Sequence, residues 1–259
     1  MSEPIQKHDI HLIQKGSIES SGMRQLTKER MSPQAQKIHD LALQCLHRHT
    51  HRSGAILYSG HQTLRQGEVY FMGLNPGGVS GTGPKLKEGI EASLTRTNNA
   101  YLVPWDNAHV DETGQGETPL QRRVQWLFAQ LGLSLPHTLC TNLVFMQSQN
   151  DQGIQWQDAM DCWPVHEAML SLVKPELILV YGNSGFSPYG FLHAQYGGEV
   201  KMKCSGHGSW NLKAFKTRIQ DREVAVVGLP HLSRYDPTHP QRGPSVIDWI
   251  RCYRGESLS

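Results

Sequence analysis

Four short apolar runs, each followed by a loop of small or polar residues, constrain the fold of this 259-residue chain more than any other feature. The runs are EVYFMGL (68–74), LCTNLVFM (139–146), LILVY (177–181) and EVAVVG (223–228). Runs of this length and composition are typical of strands that are buried on both faces. Segments with helical periodicity separate them, so the pattern predicts a parallel sheet covered by helices.

The helical segments are marked by their caps and by apolar residues at helical spacing. Ser32-Pro33 and Thr118-Pro119 each combine an N-cap hydroxyl with a proline at the first helical position. The predicted helices cover about 33–48, 119–131, 156–173 and 244–253, with a weaker signal at 86–94. The predicted fold class is therefore α/β, a three-layer α/β/α sandwich with a central four-stranded parallel sheet.

Length and composition set the domain organisation. Residues 1–30 are polar, mixed in charge and without clear periodicity, which indicates an N-terminal arm. Residues 31–259 are predicted to form a single α/β domain, because 38% hydrophobic and 19% charged residues are globular proportions. The formal charge of +2 excludes a histone-like binder, so contact with nucleic acid must be local.

Membrane, disulfide and metal classes are disfavoured by the sequence. No stretch approaches the roughly 18–20 apolar residues that cross a bilayer, and the first residues do not form a signal peptide, so a cytoplasmic protein is expected. The five cysteines are scattered without a CxxC pair, which argues against a disulfide framework, a zinc ribbon or an iron–sulfur cluster. His47, His49 and His51 end a predicted helix, where cationic side chains favour the helix dipole, so no metal site is expected.

Ligands of such sheets bind beyond the carboxyl ends of the parallel strands. The loops at Asn75, 142–148, 182–184 and His231 should therefore gather on one rim. Within the first loop, Gly73-Leu74-Asn75-Pro76-Gly77 holds an amide side chain on a backbone made rigid by proline and glycine. Such a loop can orient a water or an anion, although Asn-Pro-Gly also forms ordinary turns.

The stretch after the last run, His231-Leu232-Ser233-Arg234-Tyr235-Asp236-Pro237, places a histidine at a strand end. A histidine there can donate to a developing anion, and serine with exposed backbone amides can hold a phosphate. The alternative is a surface loop with a satisfied histidine.

Four stretches in chain order resemble the uracil-DNA glycosylase superfamily, most closely its mismatch-specific and single-strand-selective monofunctional branch. Gly73–Gly77 matches the Gly-x-Asn-Pro-Gly motif, and residues 231–234 match in part the His-Pro-Ser-Pro-type loop, with Leu232 and Arg234 in place of the prolines. Thr141-Asn142-Leu143 lies where the family has a base-reading asparagine. Gly182-Asn183-Ser184 is similar to its phosphate-contacting loop.

The resemblance implies a monofunctional DNA glycosylase that releases uracil or a related damaged base by water attack, without a metal or an organic cofactor. By similarity Asn75 positions the water with the help of the Leu74 backbone. His231 donates to the base O2, and Asn142 pairs with the uracil edge. DNA is the implied partner of a monomeric enzyme of base excision repair.

The same resemblance implies a DNA-contacting surface. Tyr235 occupies the wedge position of the family loop and is the candidate to fill the gap left by a flipped nucleotide. No phenylalanine follows the Asn-Pro-Gly loop closely, so Tyr101 or Trp105 is the candidate stacking face. The remaining predicted DNA contacts are Gly77, Gly78, Gly182, Asn183, Ser184, Ser233 and Arg234.

Two other functions stay open from the sequence. The same fold could recognise modified bases or single-stranded nucleic acid without cleavage, as the altered histidine loop permits. A small-molecule hydrolase or nucleoside-processing enzyme on a similar scaffold explains Asn75 and His231 less well. Trp156 and Trp163 have helical spacing and are predicted to be core residues.

Overall fold

The computed structural model describes residues 32–78, 81–105, 117–149 and 153–256. The predicted arm at 1–30 lies outside these residues. The centre of the described part is one mixed sheet of six strands in the order β2-β1-β3-β6-β5-β4. The strands are β1 (Val69–Gly73), β2 (Leu139–Asn142), β3 (Leu177–Tyr181), β4 (Lys201–Cys204), β5 (Asn211–Ile219) and β6 (Arg222–Leu229).

The four apolar runs form the parallel part of this sheet. Strand β1 pairs in parallel with β2 and β3, and β3 pairs in parallel with β6. Strand β2 ends at Asn142, before the apolar run does, because the backbone of Leu143 and Val144 instead bonds to Gly73 and Leu74. The predicted α/β class is thus confirmed, and the four apolar runs form parallel strands as predicted.

The predicted strand number is wrong, because an antiparallel hairpin extends the sheet. Strand β5 pairs antiparallel with β6, and β4 pairs antiparallel with β5. Neither has a continuous apolar run: β4 is KMKC and exposed throughout, and only some positions of β5 are buried. The lysines of β4 keep this outer edge charged, which opposes pairing with another chain.

Six α-helices are present in the described residues. They are α1 (Pro33–Cys45), α2 (Leu86–Thr95), α3 (Pro119–Gln130), α4 (Trp156–Val173), α5 (Pro188–Tyr196) and α6 (Gly243–Arg254). The predicted caps are confirmed, since Ser32 accepts from Ala35 N–H and Thr118 forms a capping box with Gln121. Helix α1 ends at Cys45, three residues before the predicted end, and α5 was not predicted.

Helices cover both faces of the sheet. On one face Phe71 of β1 meets Phe128 of α3 with ring centroids 5.1 Å apart, and apolar residues of α6 join the same cluster. On the other face the Tyr70 hydroxyl lies 2.8 Å from Nδ1 of His166 on α4. This coverage explains why the parallel strands are apolar at nearly every position. No helix in the described ranges has the length and apolar character to cross a bilayer.

The free edge of β2 is closed by the chain that precedes β1. The backbone N–H groups of Tyr58 and Ser59 both donate to Cys140 O, at 2.8 and 3.3 Å. On the same strand the Thr141 hydroxyl donates to Ile56 O at 2.7 Å. This segment therefore holds Tyr58 beside the carboxyl end of β2.

Candidate functional site

A cleft of about 450 Å³ opens where the parallel strands end. Nine of the residues predicted to form the site line it, together with seven that were not singled out. The predicted ones are Leu74, Asn75, Gly77, Trp105, Gly182, Ser184, His231, Ser233 and Arg234. The others are Tyr58, Leu120, Ser148, Gln149, Tyr181, Phe186 and Ser187.

A larger cleft of about 610 Å³ lies at the opposite ends of the parallel strands. Glu68, Leu139, Glu176 and Arg222, at the amino ends of the parallel strands, are among its lining residues. Its charged side chains are of both signs, and none of the four motif stretches reaches it. We therefore assign the candidate site to the smaller cleft, where ligands of parallel α/β sheets bind.

Asn75 is held in one orientation by two backbone carbonyl groups. Its Nδ2 donates to Pro76 O at 2.9 Å and to Ser148 O at 3.1 Å. Carbonyl oxygens only accept, so these contacts assign the nitrogen of the amide and leave Oδ1 as its acceptor. Ser148 N–H in turn donates to Pro76 O at 3.1 Å. The loop thus presents a fixed acceptor that can orient a water molecule.

His231 is partly buried at the end of β6, and its contacts define its tautomer. The backbone N–H of Ser233 donates to Nδ1 at 3.2 Å, and the Ser233 hydroxyl lies 2.8 Å from the same nitrogen. Because Nδ1 accepts, the neutral ring carries its proton on Nε2. Burial, and secondarily the charge of Arg234, lower the pKa of His231. His231 is therefore a neutral imidazole that can donate a hydrogen bond from Nε2–H.

Hydrogen bonds fix the backbone of the histidine loop, which has Leu232 and Arg234 where the His-Pro-Ser-Pro pattern has prolines. Arg123 on α3 donates from Nη1 to Leu232 O at 2.7 Å, and its Nε lies 3.5 Å from Asp236 Oδ1. The His231 carbonyl accepts from the N–H groups of Arg234 and Tyr235, both at 2.9 Å. Arg123 was not identified from the sequence, because it lies on a helix more than 100 residues before the loop that it contacts and belongs to no motif.

Asn142 carries the most unusual polar group near the cleft. Its side chain is 1% exposed, and neither Oδ1 nor Nδ2 has a hydrogen-bond partner among the described residues. A Cβ added at Gly73 would collide with Asn142 Oδ1 and with Tyr181 Oη, so these two atoms pack against the same glycine. An unpaired buried amide is costly, which favours a role beyond stability.

Two tyrosines of the cleft wall neighbour Asn142. Tyr181 shares with it the space over Gly73. The Tyr58 hydroxyl approaches the Asn142 amide without the geometry of a hydrogen bond, and this contact partly offsets the burial that raises the pKa of Tyr58 to about 12. Trp105 meets Tyr58 edge to face with centroids 6.2 Å apart. Tyr181 directly precedes the predicted Gly182 loop, whereas Tyr58 lies between regular elements and had no sequence signal.

Tyr101 does not fit the predicted stacking role. It is 0% exposed, and its hydroxyl is 2.8 Å from that of Tyr181. The ring also packs on Phe71 of β1, with centroids 5.8 Å apart, so Tyr101 belongs to the core beneath the cleft. Trp105 lines the cleft itself and remains the stacking candidate of the two.

Tyr235 is not placed as the predicted wedge. Its side chain is 0% exposed, and the hydroxyl donates to Ser205 O at 2.8 Å. The ring is covered by the loop between β4 and β5, which was not predicted. In the same histidine loop Ser233 and Arg234 are exposed and line the cleft, as a DNA contact requires.

Asn183 is likewise turned inward. Its Nδ2 donates to Asn211 O at 2.8 Å and to Gly228 O at 2.7 Å, so its side chain joins β5 and β6 and is not presented to a phosphate. Gly182 has a φ of +95°, which favours glycine there, and lies beside His231. Gly78 is exposed but does not line the cleft, unlike Gly77.

His166 supports the loop from beneath the sheet. Its Nε2 lies 3.0 Å from Leu143 O and therefore donates, which leaves Nδ1 to accept from the Tyr70 hydroxyl. The ring is 0% exposed, and burial lowers the pKa of His166 to about 4. A neutral histidine thus fixes the backbone just after Asn142.

Stability should fall in mild acid because of His166. In the unfolded chain a histidine titrates near pH 6.5, so between about pH 6.5 and 4 the unfolded state binds the additional proton. The free energy of unfolding is expected to drop by about 3 kcal/mol over this window. Urea unfolding at a series of pH values measures the drop.

The matched variants are His166→Gln and, as a control, His51→Gln at an exposed position. His166→Gln should lower stability at pH 7 and flatten its dependence on pH, because the titrating group is gone. His51→Gln should leave the profile unchanged. Equal slopes for the wild type and His166→Gln would contradict the assignment.

Two of the three histidines that alternate at 47–51, His47 and His49, have structural partners. His49 Nε2 lies 2.7 Å from Asp161 Oδ2, and His47 Nδ1 lies 3.0 Å from Gln44 O. Within the described ranges, no group of three or more His, Cys, Asp or Glu side chains is arranged to hold a metal ion.

Two sequence comparisons found no relative. The chain matches no protein-family model, and no curated protein matches it significantly in sequence. The four stretches that carry the resemblance lie at the carboxyl ends of β1, β2, β3 and β6.

Proposed function

We propose that this chain is a monofunctional DNA glycosylase with a uracil-DNA glycosylase-like fold, which removes uracil or a related base by hydrolysis. The observation that carries the proposal is the buried amide of Asn142, which has no hydrogen-bond partner among the described residues. Asn142 does not itself line the cleft that holds Asn75 and His231, but it neighbours Tyr58 and Tyr181 of the cleft wall. Its donor and acceptor are matched by a ligand that offers an adjacent acceptor and donor. The O4 and N3–H of uracil are such a pair.

The other two polar groups suit the reaction at the glycosidic bond. Breaking this bond places positive charge on the sugar and negative charge on the departing base. Asn75 Oδ1 accepts a hydrogen bond from the attacking water and directs it to C1′. The Nε2–H of neutral His231 donates to the base O2, where the negative charge develops.

The aromatic side chains of the cleft supply a stacking surface. Tyr58 and Trp105 form one wall, and Tyr58 is also a neighbour of Asn142. A flipped base packed on the Tyr58 ring would have its polar edge directed at the asparagine. Tyr58 thereby joins Trp105 as a stacking candidate, in the role for which the sequence suggested Tyr101 or Trp105.

One observation favours a second candidate, recognition without cleavage. Asn142 is 1% exposed, so a base reaches its amide only if a neighbouring ring, that of Tyr58 or Tyr181, moves aside. A protein that only binds modified or single-stranded nucleic acid would not require this movement.

Oligonucleotides that contain one uracil, one hypoxanthine or one thymine mismatch test the proposal. Each is end-labelled and incubated with the protein, the uracil and hypoxanthine substrates in single- and double-stranded form and the thymine mismatch as a duplex. Alkali then breaks the strand at abasic sites. We expect breaks at the uracil position. Binding without breaks, even at excess protein, would overturn excision and support the binding alternative.

A further inference from the structure

The loop between β4 and β5, Ser205–Trp210, lies beside the candidate site. Strand β5 begins next to the end of β6, because Lys213 pairs with Gly228 in the antiparallel register. Two hydrogen bonds attach the loop and the start of β5 to residues whose chain neighbours line the cleft. Tyr235 Oη donates to Ser205 O, and Asn183 Nδ2 donates to Asn211 O, both at 2.8 Å.

This loop presents an indole ring to solvent on a fixed backbone. Trp210 is 37% exposed, and its ring centroid lies 4.6 Å from that of His207. His207 in turn lies 6.3 Å from the buried ring of Tyr235. Backbone bonds close the loop, from Trp210 N–H to His207 O at 3.1 Å and from Ser205 N–H to Trp210 O at 2.9 Å. The indole is therefore supported from behind and held in place before any ligand arrives.

The charge around the loop favours an anionic partner. Arg242 donates from Nε to Gly206 O at 3.1 Å. The exposed Arg234 lines the cleft and directly precedes Tyr235, which contacts the loop. The nearby carboxylate, Asp236, is paired with Arg123 and accepts from Thr238. The balance of charge on this side of the cleft is positive.

We propose that Trp210 is a second base-stacking site, which binds an unpaired base next to the nucleotide that enters the cleft. The indole offers a π-face to any base, while Arg234 and Arg242 attract the phosphates on either side. The inference rests on the proposed function, and it makes the β4–β5 loop a determinant of binding to single-stranded or locally opened DNA. It also replaces Tyr235, whose ring is buried, as the aromatic group on this side of the cleft.

Fluorescence anisotropy with a labelled single-stranded oligonucleotide of about 15 nucleotides, carrying a central tetrahydrofuran abasic analogue, tests the proposal without a cleavable base. Trp210→Ala should weaken binding by roughly 5- to 100-fold, the range that one stacked base contributes. Trp210→Phe should retain most of the affinity, because it keeps an aromatic face. On a fully paired duplex, Trp210→Ala should have a much smaller effect.

Met202→Ala is the matched control. Met202 is 63% exposed on β4, which leads into the loop, and it has no aromatic ring. This variant should bind as the wild type does. Thermal unfolding of each variant confirms that the hairpin still folds.

Excision of uracil from a single-stranded oligonucleotide by the same proteins separates the two proposals. Suppose that the wild type excises uracil and that Trp210→Ala binds single-stranded DNA as tightly as the wild type does. The stacking proposal is then overturned, while the glycosylase proposal stands. If binding depends on Trp210 but no protein excises any base, the glycosylase is overturned and the stacking site stands. A wild type that does not bind single-stranded DNA also overturns the stacking site.

Discussion

Asn142→Leu is expected to reduce uracil excision by about 10³-fold while leaving the protein at least as stable as the wild type. Leucine has the same branched shape but cannot pair with a base. Both polar atoms of the amide are buried, and neither has a hydrogen-bond partner in the part of the chain that the structure describes. Replacing such a group by an apolar one removes a desolvation cost of about 1–3 kcal/mol. Single-turnover excision and urea unfolding measure the two effects.

Asn99→Leu is the matched control for this prediction. Asn99 is also buried, but its Nδ2 donates to Leu135 O at 2.9 Å and its Oδ1 accepts from Tyr101 N–H at 2.9 Å. Its replacement should therefore lower the free energy of unfolding by about 1–3 kcal/mol or more, because backbone groups lose their partners. If Asn142→Leu destabilises the protein as much as Asn99→Leu does, the amide of Asn142 has a structural role.

His231→Ala is expected to lower kcat about 10²- to 10³-fold with little change in KM. The expected loss is that of a donor which acts mainly on the charge of the transition state. Rapid-quench measurement of base release at saturating DNA gives kcat, and its dependence on DNA concentration gives KM.

Two variants sharpen the interpretation of His231. His231→Gln offers an amide donor at a similar reach and should recover part of the loss. His239→Ala removes an exposed histidine of the segment between β6 and α6 and should have no effect on kcat. A purely proportional rise in KM for His231→Ala, with kcat unchanged, would contradict donation in the transition state.

The parallel sheet was predictable because burial on both faces leaves a direct mark on the sequence. LILVY and EVAVVG become β3 and the core of β6 nearly residue for residue. The hairpin β4–β5 was not predictable in the same way. A charged edge strand such as KMKC is fixed by pairing with its neighbour and not by its own composition.

The main polar groups of the site were also predictable in part. Each of the three polar residues, Asn75, Asn142 and His231, lies at or just after the end of a parallel strand. Parallel strands of one sheet have their carboxyl ends on the same side, so these residues are brought together. The sequence could not indicate that the Asn142 amide lies unpaired, since that depends on how Tyr58 and Tyr181 pack around it.

The wrong prediction for Tyr235 arises because the sequence did not predict the hairpin β4–β5. Tyr235 was expected to be the wedge because it occupies that position in the resembling loop, but the unpredicted loop Ser205–Trp210 covers it. The same loop carries the exposed Trp210, which no sequence motif marked. Tyr101 failed as a stacking candidate for a related reason, because distant residues decide which aromatic side chains become core.

Direct detection of the released base tests the central proposal most directly. The 259-residue chain is incubated in excess with a single-stranded oligonucleotide containing one uracil, and free uracil is quantified by mass spectrometry. The double variant Asn75→Ala/His231→Ala provides the background. We predict free uracil in proportion to DNA for the wild type and only background for the variant. Equal amounts from both proteins, at background level after long incubation, would contradict a uracil glycosylase.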